Sequence, residues 1–162
     1  MLGGDVLASL FDIEGIFNRH VDTVYRVCMT YLRVPADAED STQQVFMKLA
    51  EHPRSFEDFE HEKAWLITCA SNACKDVLKS ARRQRSAAMP RDVEDTDAQR
   101  DETLDAVLAL KDPPRTCVYL FYYEGYTSEE IAEMLDANAS TVRNWLAQGR
   151  EQLKGILKGE TA

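Results

Sequence analysis

Period-two alternation of apolar and polar residues is missing from this chain, and its 7 glycines and 5 prolines among 162 residues fall at breaks in helical spacing. That excludes a β-sandwich or barrel and predicts helix nearly throughout. No apolar stretch reaches the roughly 18 residues that cross a membrane, and the first residues carry no basic leader, so a cytoplasmic protein is expected. Cys28, Cys69, Cys74 and Cys117 form no Cys-x-x-Cys pair and sit among helix-forming apolar residues. Buried free thiols are therefore predicted in place of a metal or redox site. Histidine is scarce too: His20, His52 and His61 lie scattered, with no His-x-x-x-His or Glu-x-x-His set. No Gly-rich phosphate loop and no local Cys-His or Ser-His pair are present, so the sequence predicts no catalytic residue, no metal ligand and no cofactor.

What the chain does have is a complete helix-turn-helix pattern between Tyr126 and Arg143. Thr127 and Glu130 form a Thr-x-x-Glu capping box that starts its first helix. Ile131, Met134 and Leu135 give that helix an apolar face. Asp136 and Ala137 make the turn, because aspartate tolerates the left-handed backbone of a tight helix exit. Asn138 caps a second helix in which Val142, Leu146, Gly149, Leu153 and Ile156 keep helical spacing. Such a pair suits insertion into a DNA major groove; an ordinary helical hairpin has the same spacing.

A net charge of −9 argues against DNA binding until the charges are read in blocks. Residues 1–62 carry 12 acidic and 5 basic side chains, whereas residues 63–91 carry 7 basic groups against Asp76 alone. Residues 92–112 swing back to 8 acidic against 2 basic, and the remainder is close to neutral. Local charge, not the total, meets a phosphate backbone, so the basic block can bind DNA within an acidic protein.

Apolar spacing predicts helices from about Leu10 to His20 and Val21 to Arg33, then one opened by Pro35 and ending before His52-Pro53. A loop holding Phe56 and Phe59 leads to a fourth helix, about Glu62 to Arg83, that ends in the basic block. Residues 84–101 are polar, acidic and aperiodic and read as a flexible linker. Beyond it come a helix with Leu104, Val107, Leu108 and Leu110, and one opened by Pro113-Pro114 that stops at Gly125, before the helix-turn-helix. The expected architecture is all-α, with small helical domains at 1–83 and 102–162 on a tether.

The order of three segments narrows the reading. Asp37-Ala-Glu-Asp-Ser-Thr-Gln-Gln-Val-Phe-Met-Lys48, Lys63-Ala-Trp-Leu-Ile-Thr-Cys-Ala-Ser-Asn-Ala-Cys-Lys-Asp76 and Tyr119-Leu-Phe-Tyr-Tyr-Glu-Gly-Tyr-Thr-Ser-Glu-Glu-Ile-Ala-Glu133 together resemble the extracytoplasmic-function (ECF) sigma factors of bacterial RNA polymerase, over roughly residues 10–157. The resemblance implies two helical domains, sigma-2 and sigma-4, without catalytic activity, that direct core polymerase to promoters. It implies that Asp37, Asp40, Gln43 and Gln44 meet the clamp helices of the β′ subunit, where they can pair with arginines. A solvated helix N-terminus with dipole-favoured carboxylates explains the same residues. Phe46 is expected in the core, and Trp65 and Leu66 are expected to pack sigma-2 together.

For the −10 element, the resemblance puts Asn72 on the face meeting the non-template strand, while Lys75, Lys79, Arg82 and Arg83 neutralise phosphates along the same helix. Phe56 and Phe59 occupy the loop that receives unstacked bases, or else anchor the core. For the −35 element, Thr141, Arg143, Asn144 and Gln148 lie on the recognition helix; arginine can pair with guanine and asparagine with adenine. The chain departs from the family pattern at Trp145 and Gln148, where cations are usual, and at Ser71, where arginine is frequent. Tyr122, Tyr123 and Tyr126 either touch the flap of the β subunit or, as expected here, pack within sigma-4. A cognate anti-sigma factor is implied as a further partner. The competing reading is a stand-alone helix-turn-helix regulator, but such proteins usually dimerise and the chain has no heptad seam.

Overall fold

The computed structural model describes residues 12–84, 102–111 and 113–157, and every regular element among them is helical. The first unit comprises α1 (Ile13–Leu32), α2 (Pro35–Glu51) and α3 (Phe59–Gln84). The second comprises α4 (Glu102–Leu108), α5 (Pro114–Val118) running on into a π-helical turn (Tyr119–Tyr123), α6 (Ser128–Leu135) and α7 (Ala139–Leu157). Apart from Gln84, the segment read as a linker lies outside the described residues.

Two helices were predicted to meet at His20-Val21, and the structure has one, α1. No glycine or proline interrupts it there, and His20, at the expected boundary, is buried. His20 Nε2 lies 2.7 Å from Glu62 Oε1 of α3, so its hydrogen bond is made inside the fold. α1 ends at Arg33, whose left-handed φ of 63° lets its N–H return to the Met29 carbonyl. Val34 is then extended, as a residue before proline must be, and Pro35 opens α2 as predicted. α3 starts before the predicted Glu62 because Asp58 Oδ1 accepts the His61 N–H at 2.7 Å, capping an additional turn.

Apolar faces of all these helices merge into one core. It runs from Val24, Leu49, Leu66 and Ile67 in the first unit to Leu110, Val118, Leu120, Ile131 and Val142 in the second. Each such side chain contributes about 1.5–3 kcal/mol through burial. Phe46 is core, as expected. Cys28, Cys74 and Cys117 are buried free thiols, whereas Cys69 is only half-buried. Burial pushes the Cys69 thiol up, against the opposing pull of Lys48 and Arg54, so it is not an activated nucleophile.

The π-helical turn departs from the ordinary helix expected there. It stacks Tyr119 on Tyr123, with ring centroids 5.4 Å apart, and Gly125 leaves it with a φ of 76°. The helix-turn-helix forms as predicted. Thr127 Oγ1 accepts from the Glu130 N–H at 3.2 Å, Glu130 Oε1 accepts from the Thr127 N–H at 3.0 Å, and Asp136 takes the left-handed conformation. Gly149 lets α7 approach α5: a Cβ there would sit 2.3 Å from Val118 Cγ2, a β-branched side chain already buried in the core. Gly149→Ala should gain about 1 kcal/mol of helix propensity yet lose about 1–3 kcal/mol to overpacking. A net loss of thermal stability is expected, read by the circular-dichroism melting midpoint.

Candidate nucleic-acid interface

Steps of three or four residues put Asn72, Lys75, Lys79, Arg82 and Arg83 along one side of α3. Asn72, Lys79, Arg82 and Arg83 are exposed. Lys75 is not a fully solvated cation, as the sequence suggested: its Nζ donates to the Leu135 carbonyl at 2.6 Å, at the C-terminus of α6. Unsatisfied carbonyls and the negative end of the helix dipole make that a favourable seat for an ammonium. Ser71, where the family pattern favours arginine, faces inward; its Oγ lies 2.6 Å from the Tyr31 hydroxyl, and both are buried.

The loop before α3 holds a cluster that sequence reasoning found only in part. The Arg54 guanidinium sits 5.4 Å from the Phe56 ring centre and 5.0 Å from that of Trp65, and the two rings are 5.7 Å apart. Phe56 is half-buried and packs on the core, whereas Phe59, expected in the loop, is the first residue of α3, because the Asp58 cap starts that helix early, and is 61% exposed with the Arg19 guanidinium 4.3 Å from its ring centre. Arg54 was missed. Its signal was a basic residue in an aromatic loop, which gives both a cation and a planar stacking surface. Below this loop, Glu62 accepts from Arg19 Nε at 3.1 Å and from the His20 ring, and Arg19 Nη2 also reaches Asp12 at 3.0 Å. This cluster fixes the start of α3 against α1.

On α2, Ala38, Thr42, Val45, Phe46 and Leu49 face inward, leaving Asp40, Gln43 and Gln44 exposed and Asp37 half-buried in the first turn. Met47 shares the outer side at 58% exposure, a large apolar residue that the sequence reading did not single out. On α7, Val142 and Leu146 are buried, Arg143, Asn144 and Gln148 are exposed, and Thr141 is half-buried. Arg143 pairs loosely with Glu129, 3.5 Å away and well exposed. Trp145 is half-buried against the core, so it helps hold α7 in place and is no simple substitute for a surface cation.

The expectation that the tyrosines pack within the second unit needs correction for Tyr122, which is 52% exposed. Tyr126 is buried, and its hydroxyl has no hydrogen-bond partner among the described residues. Burial first, then the carboxylates of Glu60, Glu124 and Glu130, push that hydroxyl above the ordinary phenol range, so it stays protonated. Among the described residues no helix is long and apolar enough to cross a membrane.

Comparison with known proteins accounts for this arrangement. The family model for sigma-70 region 2 matches residues 16–84, and that for sigma-70 region 4 matches residues 100–153. The ECF RNA polymerase sigma factor SigE of Mycolicibacterium smegmatis is 30% identical over 93% of this chain, which spans 63% of that relative's length. The RNA polymerase sigma factor CarQ of Myxococcus xanthus is 29% identical, with 89% of this chain and 88% of that one aligned. The sigma factor RpoE of Bartonella quintana, solved in complex with the anti-sigma factor NepR, shares the fold with a TM-score of 0.75. That likeness covers 91% of this chain and 97% of the other at 21% identity. Regions 2 and 4, matched in order, correspond to the two helical units on either side of residues 85–101, and the chain belongs to the ECF sigma factors of the sigma-70 family.

Proposed function

We propose that this chain joins core RNA polymerase and directs it to promoters, with α3 and the preceding loop engaging the −10 element. The observation that carries this reading is the exposed stripe of Asn72, Lys79, Arg82 and Arg83 beside the Arg54–Phe56–Trp65 stack and the exposed ring of Phe59. Cations track a phosphate backbone, an amide reads base edges, and aromatic and guanidinium planes receive bases that have left the duplex. Arg143, Asn144 and Gln148 on α7, with Thr141 beside them, read the −35 element in the major groove. Asp40, Gln43 and Gln44, together with Asp37, dock on the β′ clamp helices, and Tyr122 is the tyrosine exposed enough to meet the β flap. The chain is not a catalyst; the polymerase it joins performs the chemistry in the cytoplasm, and an anti-sigma factor holds it inactive until signalled.

The sharpest rival is a regulator that binds DNA by itself. A mobility-shift assay with a promoter fragment, with and without core polymerase, separates the two. A specific shift that requires core is expected. An equally tight and specific shift without core would favour the regulator.

A further inference from the structure

Two aromatic–guanidinium pairs stand at the start of α3, and they differ in how much ring they leave open. Phe56 is half-buried and hemmed in, with the Trp65 ring 5.7 Å away, the His61 ring edge-on at 5.4 Å and the Arg54 guanidinium at 5.4 Å. Phe59 has one such neighbour among the described residues, Arg19 of α1, 4.3 Å from its ring centre, and is 61% exposed. What separates it from a stray surface ring is the fixture behind it. Arg19 Nε donates to Glu62 Oε1 at 3.1 Å, and Nη2 donates to Glu62 Oε2 at 3.3 Å and to Asp12 Oδ2 at 3.0 Å. Glu62 is 4% exposed and tied to the His20 ring as well. A forked pair of this kind fixes the plane of the guanidinium along with its charge. The Asp58 cap fixes the first turn of α3, which carries Phe59. Ring and cation are thus ordered before any ligand arrives, and preorganisation lowers the cost of binding.

We propose that Phe59 is the stacking platform for one unpaired base of the −10 strand, and that Arg19 is the positioning residue that backs its ring. The proposal rests on the reading that α3 and the loop before it engage that element. A base that has left the duplex has an apolar face to cover, and a flat ring covers it whatever the base. The cation on the far face of the ring holds it flat to the incoming base. Glu57, Asp58 and Glu60, all exposed, flank the ring in sequence, so phosphate is repelled and the contact goes to the base alone. About 20 Å of helix separates Phe59 from Asn72, so the two side chains touch different nucleotides. Arg19 precedes all three segments that carry the family resemblance, which is why the sequence pattern did not mark it.

The test uses the full chain with core polymerase on a promoter fragment whose −10 region is held open by mismatches, with binding read by mobility shift. Bases of the non-template −10 strand are removed one at a time, leaving abasic sugars. Phe59→Ala should weaken binding to the intact strand about 5- to 150-fold, the worth of one base–aromatic stack, with the salt slope unchanged. At one abasic position the wild-type chain should lose the same amount, and Phe59→Ala should lose nothing further. Phe59→Trp should bind like the wild type. Arg19→Lys keeps a charge for Glu62 and Asp12 but not the flat fork, and should weaken binding about two- to fivefold. That effect should vanish at the same abasic position, which a general folding fault would not do. Equal losses by Phe59→Ala on every strand, or none on any, overturn the platform. So does weaker binding of Phe59→Ala to core polymerase without DNA, which would assign the ring to the polymerase. If Asn72→Ala/Lys79→Ala also binds these fragments like the wild type, the promoter reading itself falls; if that variant is weakened while Phe59→Ala is not coupled to any base, the platform alone falls.

Discussion

Asn72→Ala combined with Lys79→Ala should cut open-complex formation by about 30- to 1,000-fold at moderate salt. The estimate takes about 1–2 kcal/mol for each lost base or phosphate contact, with each 1.4 kcal/mol worth tenfold. Both side chains are exposed on α3 and neither is part of the core, so the variant should fold with a stability within about 0.5 kcal/mol of the parent. The two substitutions should act differently. Removing Lys79 deletes one phosphate contact and makes binding less salt-dependent, with the slope falling by about 0.7 for a single strand. Removing Asn72 should leave the salt slope alone and relax base preference. Permanganate reactivity of unpaired thymines, titrated against salt, reads both effects. Unchanged melting by the double variant would mean that this face of α3 does not engage the −10 strand.

Glu62→Ala should lower the melting midpoint by about 5–15 °C, corresponding to about 2–4 kcal/mol in a chain of this size. Glu62 is 4% exposed and answers two donors at once, the His20 ring at 2.7 Å and the Arg19 guanidinium at 3.1 Å. Truncating it leaves a buried imidazole facing an empty space, and the cost of an abandoned buried group exceeds that of an exposed ion pair. Arg19 reaches solvent, so its share is screened and the estimate is kept below that of a fully buried pair. Glu62→Gln keeps one acceptor and should lose about half as much. Differential scanning calorimetry across the three proteins measures this directly, and equal midpoints for all would show that the cluster does not anchor α3.

Local rules made much of this fold readable. The capping box at Thr127 and Glu130, the left-handed Asp136 and Pro35 at a helix start each follow from chemistry within four residues of the site. The exposed stripe from Asn72 to Arg83 follows from helical spacing alone. What the sequence hid depends on contacts distant in the chain. The continuity of α1 through His20 was hidden because the carboxylate that accommodates this buried residue lies 42 residues away. Lys75 looked like a free phosphate ligand because its acceptor is a backbone carbonyl 60 residues away, which no side-chain pattern announces. The π-helical turn gives no spacing signal distinct from an ordinary helix end, and Trp145 shows its packing role only once α7 is placed on the core.

Run-off transcription from a promoter fragment, with core polymerase and the purified chain as the only initiation factor, tests the central claim most directly. Transcripts of one discrete length should appear with the wild-type chain and fall by at least thirtyfold with Asn72→Ala/Lys79→Ala. Discrete transcripts undiminished by that double variant would contradict the role given to α3, and no discrete transcript from the promoter fragment would contradict the assignment of a promoter-directing subunit.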